Sequence, residues 1–200
     1  MKIFTFETEE AWKEARRGKI TGTKVGSLLS KRDRKPLVGY YELIAERIAL
    51  PPDGENVMDR GKRLEDEAIE RFAKETRKKV KHTQWVLCER DDEPLIAYSP
   101  DGMIGKTEDV EVKCRNSAAH IEAMMIKAVP SEYRPQIIQG FVVNDKLKTR
   151  YMVFYDPRCP KDFFYLTIHR KDVQKEIDEY MELERRVLAE IAEIEQQLTF

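Results

Sequence analysis

The stretch SPDGMIGKTEDVEVKC, Ser99 to Cys114, decides how the chain is read. Its tripeptide Pro100-Asp101-Gly102 is turn chemistry, because proline presets φ and glycine accepts conformations that other residues resist. A second break at Gly105 to Glu108 leads into Asp109 to Cys114, which is β-prone. On a strand, residues two apart share a face, so Glu111 and Lys113 project together while Val112 points into the opposite layer. If Asp101 begins or ends the neighbouring strand, the loop returns the chain so that Asp101 meets Glu111. Two readings compete here: a β-hairpin with a charged outer face, and a cation site that cuts phosphodiesters.

Taken singly, a Pro-Asp-Gly turn and a Glu-x-Lys strand are commonplace, the first a bare turn and the second a solvated face. An aspartate turn followed, after nine intervening residues, by Glu-x-Lys inside an apolar β run is much less so. Two neighbouring carboxylates repel each other unless a divalent cation lies between them, and they offer the hard oxygen donors that Mg²⁺ prefers. Such an ion polarises a phosphate and lowers the pKa of a bound water. The Lys113 ammonium is then placed to orient that water or to stabilise charge on the phosphorus oxygens.

Working outward, the segments VKHTQWVLCE, LIAYS, MIG and DVEVKC are short, β-prone and separated by turn residues, which predicts a meander of three or four strands. Before them, Leu64, Ala68, Ile69 and Phe72 recur at helical spacing from Asp59 onward. Further upstream, Met1–Phe6 reads as a strand or extended arm, and Thr8 as the N-cap of a helix closed by Gly18. Short helices are expected over ITGTKVGSLLS and over Tyr40–Ala49, the latter ending before Pro51 and Pro52. Downstream, helices are expected over Ala118–Ala128 and Ser131–Asn144, with Pro135 in the first turn of the second. Two strands, TRYMVFYD and FFYLTIHR, precede a long amphipathic helix over Lys171–Gln197. This order predicts an α/β (mixed α+β) domain with a central sheet.

With 200 residues the chain suits one domain: a basic helical segment over about 8–50, a core over about 59–170 and a terminal helix over about 171–197. The net charge of −1 hides an uneven distribution. Between Lys13 and Lys35 lie nine basic residues against two acids, whereas Arg170–Phe200 carries nine acids against five bases. A basic N-terminal third suits a polyanion on one face, or is simply a solvated helical surface. Cys88, Cys114 and Cys159 are scattered and form no Cys-x-x-Cys, which suggests neither a disulfide framework nor a zinc or iron–sulfur cluster. The N-terminus has no apolar signal-like core, and no run reaches the length of a membrane span, so a soluble cytoplasmic protein with no membrane partner is expected.

Other residues bear on the Asp101–Glu111–Lys113 reading. Glu65 lies just off the apolar stripe of its helix, where a carboxylate can face the sheet as a third acidic group. It is otherwise a surface glutamate beside Lys62 and Arg63. Tyr133 and Gln136 stand three apart and share a helical face, a half-buried phenol and amide in need of partners or a plain polar edge.

Six ordered blocks, WKEARRGKITGTKV, RGKRLEDEAIERF, YSPDGMI, EVKC, YRPQIIQGFVV and VFYDPR, together resemble the phage lambda exonuclease (YqaJ-type) branch of the PD-(D/E)XK nucleases. The resemblance runs from about Trp12 to Arg170. It implies a restriction-endonuclease-like core, a central mixed sheet flanked by helices. It also implies Mg²⁺-dependent 5′→3′ degradation of one strand of linear duplex DNA, with Mn²⁺ as a substitute ion. The products would be mononucleotides and a 3′-ended single strand for recombination. By matching motifs, Asp101 and Glu111 would hold the metal with the Val112 carbonyl, and Lys113 would be the catalytic lysine. Glu65 would assist, and Tyr133 and Gln136 would position water or the scissile phosphate. Arg16 would bind the 5′-phosphate with help from Thr23, and Arg17 and Ser99 would add DNA contacts. A ring-shaped homotrimer, a single-strand annealing partner and a bacterial or phage-infected cytoplasm are also implied.

Two alternatives stand beside this reading. A structure-selective or restriction-type endonuclease of the same core would cut closed circles, and the Arg16 region argues against it. A non-catalytic DNA-binding or assembly module would be expected to have lost one of Asp101, Glu111 and Lys113, which are all present.

Overall fold

The protein is described from a computed structural model, covering residues 1–30, 36–37, 39–40, 43, 46–47, 59–114, 117–157 and 159–198. Among these the order is β1 (Lys2–Thr5), α1 (Glu9–Arg16), α2 (Asp59–Thr76), β2 (Lys81–His82), β3 (Val86–Glu89), β4 (Ala97–Tyr98), β5 (Gly102–Ile104) and β6 (Glu108–Lys113). The chain continues through α3 (Ser117–Ile126), α4 (Arg134–Val143), β7 (Thr149–Tyr155), β8 (Phe163–His169) and α5 (Gln174–Leu198). The helix expected over Tyr40–Ala49 falls mostly outside the described residues; Tyr40, Leu43, Glu46 and Arg47 are within them and helical. Lys31, Arg32, Arg34 and Lys35 of the basic tract also lie outside them.

Local chemistry explains the helix ends. Thr8 caps α1, its Oγ1 accepting from the Ala11 N–H at 3.2 Å, and Glu9 and Glu10 in the first turn face the positive end of the helix dipole. Gly18, at φ 69°, then takes the left-handed turn that releases the chain. The ITGTKVGSLLS segment forms only a 3₁₀ turn, Val25–Ser27, in place of the expected helix; its N-cap, Lys24, makes no side-chain cap. Likewise α4 starts at Arg134, three residues later than expected, because Pro135 belongs in a first turn and Tyr133 serves as N-cap.

Two sheets form where a single meander is expected. β2, β5, β6, β7 and β8 make a five-stranded mixed sheet in the order β2-β5-β6-β7-β8, in which β6 and β7 run parallel. β3 and β4 join β1 in a separate antiparallel sheet, with Ile3 opposite Cys88 and Phe4 opposite Leu87. Such partnerships are long-range and leave no trace in local periodicity.

The five-stranded sheet has two covered faces. Val110, Val112, Tyr151 and Val153 pack on Ala68, Ile69 and Phe72 of α2. Met152, Phe154 and Ile168 instead join Ile137, Ile138 and Phe141 of α4 and Ile177, Val187, Leu188 and Ile191 of α5. Full burial of each such side chain contributes roughly 1.5–3 kcal/mol. Asp109, Glu111 and Lys113 share the strand parity of this second face. No helix among the described residues is long and apolar enough to cross a membrane.

Candidate active site

The β5–β6 pairing brings the two acids of the opening stretch together. Gly102 pairs with Val110, and the Asp101 N–H donates to the Val110 carbonyl at 3.1 Å, which extends the ladder by one residue. The Asp101 side chain then folds onto the same strand, Oδ2 accepting from the Val112 N–H at 2.6 Å. Glu111 is buried, and its Oε1 accepts from Lys113 Nζ at 2.6 Å. Lys113 Nζ also lies 5.5 Å from the ring centre of Tyr133.

Charge is crowded here. Burial, and then the negative charges of Glu111 and Glu65, push the Asp101 carboxyl well above its usual range. Burial works against the Lys113 ammonium, but Glu111 and Asp101 outweigh it and raise its pKa. Glu65 lines the same cleft as Asp101, together with Asp66, His82, Ser99 and Trp12. His82 joins the two helix acids, with Nδ1 2.9 Å from Asp66 and Nε2 3.6 Å from Glu65.

Arg16, at the end of α1, reaches this cluster from the N-terminal side. Its guanidinium lies 4.3 Å from the Trp12 ring centre, and Nη2 donates to Thr23 Oγ1 at 3.4 Å. Burial lowers its pKa, while Glu111, Asp101 and Glu46 pull it back up, so it shares the field of the two acids. Trp12 ties Arg16 to the turn before Asp101, because its Nε1 donates to Ser99 Oγ and to the Val86 carbonyl, each at 3.2 Å. Thr23 in turn lines a groove with Tyr133 and Gln136. Gly22 permits this approach: a Cβ there would lie 3.0 Å from Gln136 Cγ and 3.2 Å from its Cα.

Arg16, Glu65, Ser99, Asp101, Glu111, Lys113 and Tyr133 are thus linked around one cluster, although they come from separate parts of the chain. Thr23 joins it through Arg16, and Gln136 lines the adjoining groove. Arg17 is the exception, pairing with Glu14 of its own helix at 3.6 Å. Sequence reasoning missed Trp12 and His82, which line the cleft with Asp101, and the buried pair of Asp109 and Arg150 beside Glu111. Arg150 did carry a signal, as a lone charge within the apolar strand TRYMVFY.

The donor set suits a hard divalent cation. Among the described residues no three His, Cys, Asp or Glu side chains form a ready-made metal cage. Mg²⁺ ordinarily takes one or two carboxylates and completes its shell with water and substrate phosphate, and Asp101 and Glu111 supply that number. Burial first, and then the neighbouring Glu111 and Glu65, raise the Asp101 carboxyl, and a cation between the two acids would relieve the second of these.

The model of the YqaJ-like viral recombinase domain matches residues 11–146, a span that holds every site residue named from the sequence. The chain belongs to the YqaJ-like viral recombinase family. Solved structures similar to this YqaJ-like chain include an alkaline exonuclease (LHK-Exo) from Laribacter hongkongensis, with a TM-score of 0.77 and 27% identity over 94% of this chain and 97% of that one. The same exonuclease in complex with dAMP gives a TM-score of 0.76 and 28% identity over the same shares. A phage-related exonuclease from Haemophilus somnus 129PT gives 0.63 at 14% identity, covering 90% of this chain and 96% of that one, a likeness of fold alone. No curated protein matches the chain.

Proposed function

We propose that this protein is a Mg²⁺-dependent exonuclease that degrades one strand of linear duplex DNA in the 5′→3′ direction. It releases mononucleotides and leaves a 3′-ended strand for recombination. The observation that carries the reading is the convergence of Asp101, Glu111 and Lys113 with Arg16 and Thr23. One place thereby holds two hard-oxygen donors, a charged amine and a guanidinium. The similar alkaline exonuclease, solved also in complex with dAMP, supports the same reaction class.

In this reading Asp101 and Glu111 hold the ion, with the Val112 carbonyl as a further donor. When bound, the ion neutralises the two carboxylates and polarises the scissile phosphate. Lys113, fixed by Glu111, orients the attacking water and stabilises charge gathering on the phosphorus oxygens. Tyr133 and Gln136 position the phosphate from the other side. Water attacks phosphorus and the P–O3′ bond breaks. The terminal nucleotide departs with a 3′-hydroxyl, and the shortened strand keeps a new 5′-phosphate. Each turnover therefore regenerates the end that Arg16 reads, with Thr23 steadying the guanidinium and Ser99 flanking the strand.

A ring-shaped trimer around the duplex and an annealing protein that receives the 3′-ended strand complete this proposal. Linear and covalently closed circular duplex, each incubated with the protein and Mg²⁺, test it. Mononucleotides from the linear form and intact circles are expected; digestion of circles would identify an endonuclease instead.

A further inference from the structure

We propose that Arg150 is a positioning residue of this site, setting Glu111 and the first turn of α4 in one fixed relation. The inference rests on the nuclease reading above. Arg150 is fully buried in the middle of the five-stranded sheet, where an unpaired guanidinium would cost several kcal/mol. Its Nε donates to Asp109 Oδ1 at 2.7 Å, which already balances its charge. Its Nη1 donates to the carbonyls of Gln136 at 2.7 Å and Ile137 at 2.9 Å, in the first turn of α4. These contacts alone would make a complete structural ion pair.

Nη2 is the remainder. It is buried, makes no hydrogen bond, and lies 3.6 Å from Glu111 Oε2, within ion-pair range but beyond a hydrogen bond. Buried donors without partners are rare and call for a reason. Here the reason is division of labour on one carboxylate: Arg150 faces Oε2, and Lys113 takes Oε1. Glu111 is thereby held from both sides in a place that water hardly reaches. The grip on the Gln136 carbonyl extends the same control to the turn carrying Tyr133 and Gln136. Gly140 leaves the room this needs, since a Cβ there would sit 2.3 Å from Arg150 Nη1.

Three variants separate positioning from bulk stability. Arg150→Lys keeps the charge but loses the fork that reaches Asp109, Glu111 and the carbonyls of Gln136 and Ile137. Asp109→Asn combined with Arg150→Gln removes both charges, so no buried acid is orphaned. Gly140→Ala displaces Nη1 while every charge remains. Each is measured by thermal unfolding, by Mn²⁺ binding in calorimetry without DNA, and by kcat and KM on linear duplex. Groups that orient a metal ligand ordinarily contribute about 10–100-fold to metal affinity or activity. The folded variants are therefore expected to bind Mn²⁺ and turn over about 10–100-fold less well, with KM for DNA nearly unchanged. Folded variants with the parent's Mn²⁺ affinity and kcat would overturn the proposal. So would failure of all three to fold, which would assign Arg150 to stability alone. A parent that neither binds Mn²⁺ nor digests DNA would instead sink the nuclease reading, so the two failures are distinct.

Discussion

At the scale of single residues, Glu111 is gripped from one side by Lys113 and faced from the other by Arg150, while Asp101 is pinned by the Val112 N–H. Loss of one preorganised electrostatic contact in such a site costs about 10²–10³-fold in turnover. Asp101→Asn and Lys113→Ala should lose at least about that much kcat, with circular dichroism and gel-shift binding of linear duplex close to the parent. Residual activity near the parent's would remove either residue from the chemistry. Arg16→Ala should reduce the preference for 5′-phosphoryl over 5′-hydroxyl ends by about 10–100-fold in kcat/KM, the worth of a hydrogen bond to a charged group. An unchanged ratio would give the end-reading role to another group. Asp101, Glu111 and Lys113 were legible because strand alternation and turn chemistry are local rules. Asp109 and Arg150 were not, because they meet only through the parallel pairing of β6 with β7, forty-one positions apart in the chain.

At the scale of elements, α5 carries a buried acid in its otherwise apolar stripe. Glu184 accepts from Gln139 Nε2 at 3.1 Å, and that amide also approaches the carbonyls of Ile20 and Ala97, each at 3.4 Å. One buried polar hub thus joins α5, α4, β4 and the N-terminal segment. Burial pushes Glu184 up to about 8, so between the usual carboxylate range and pH 8 the folded state binds a proton that the unfolded state has lost. Stability from this group is therefore full at low pH and falls as pH rises towards 8. Glu184→Gln should flatten that part of the urea-unfolding profile and leave the variant more stable than the parent above pH 8. Parallel profiles for parent and variant would show that Glu184 does not titrate in this way. The helical periods of α2 and α5 were legible in their apolar residues, but the buried Glu184 was not. The split of the strands between two sheets was equally hidden, since β1 finds β3 across more than eighty residues.

At the scale of the whole molecule, the basic N-terminal tract proves less bare than its charge suggests. Lys13 pairs with Glu9, Arg17 with Glu14, Lys19 with Glu89 and Lys24 with Glu46. These pairs, half-buried on one side or both, lower the charge offered to a polyanion. Arg16 is set apart by its place among the acids of the site, and the proposed function gives it the chain end to read. α5 lays Ile177, Val187, Leu188 and Ile191 into the core and so covers it. Those roles for the whole molecule meet in one assay: linear duplex labelled separately at the 5′ and the 3′ end of one strand, digested with and without Mg²⁺. The 5′ label should leave first as a mononucleotide while the 3′ label stays on long strands, and chelation of the ion should stop both. Early release of the 3′ label, or digestion that survives chelation, would contradict the account.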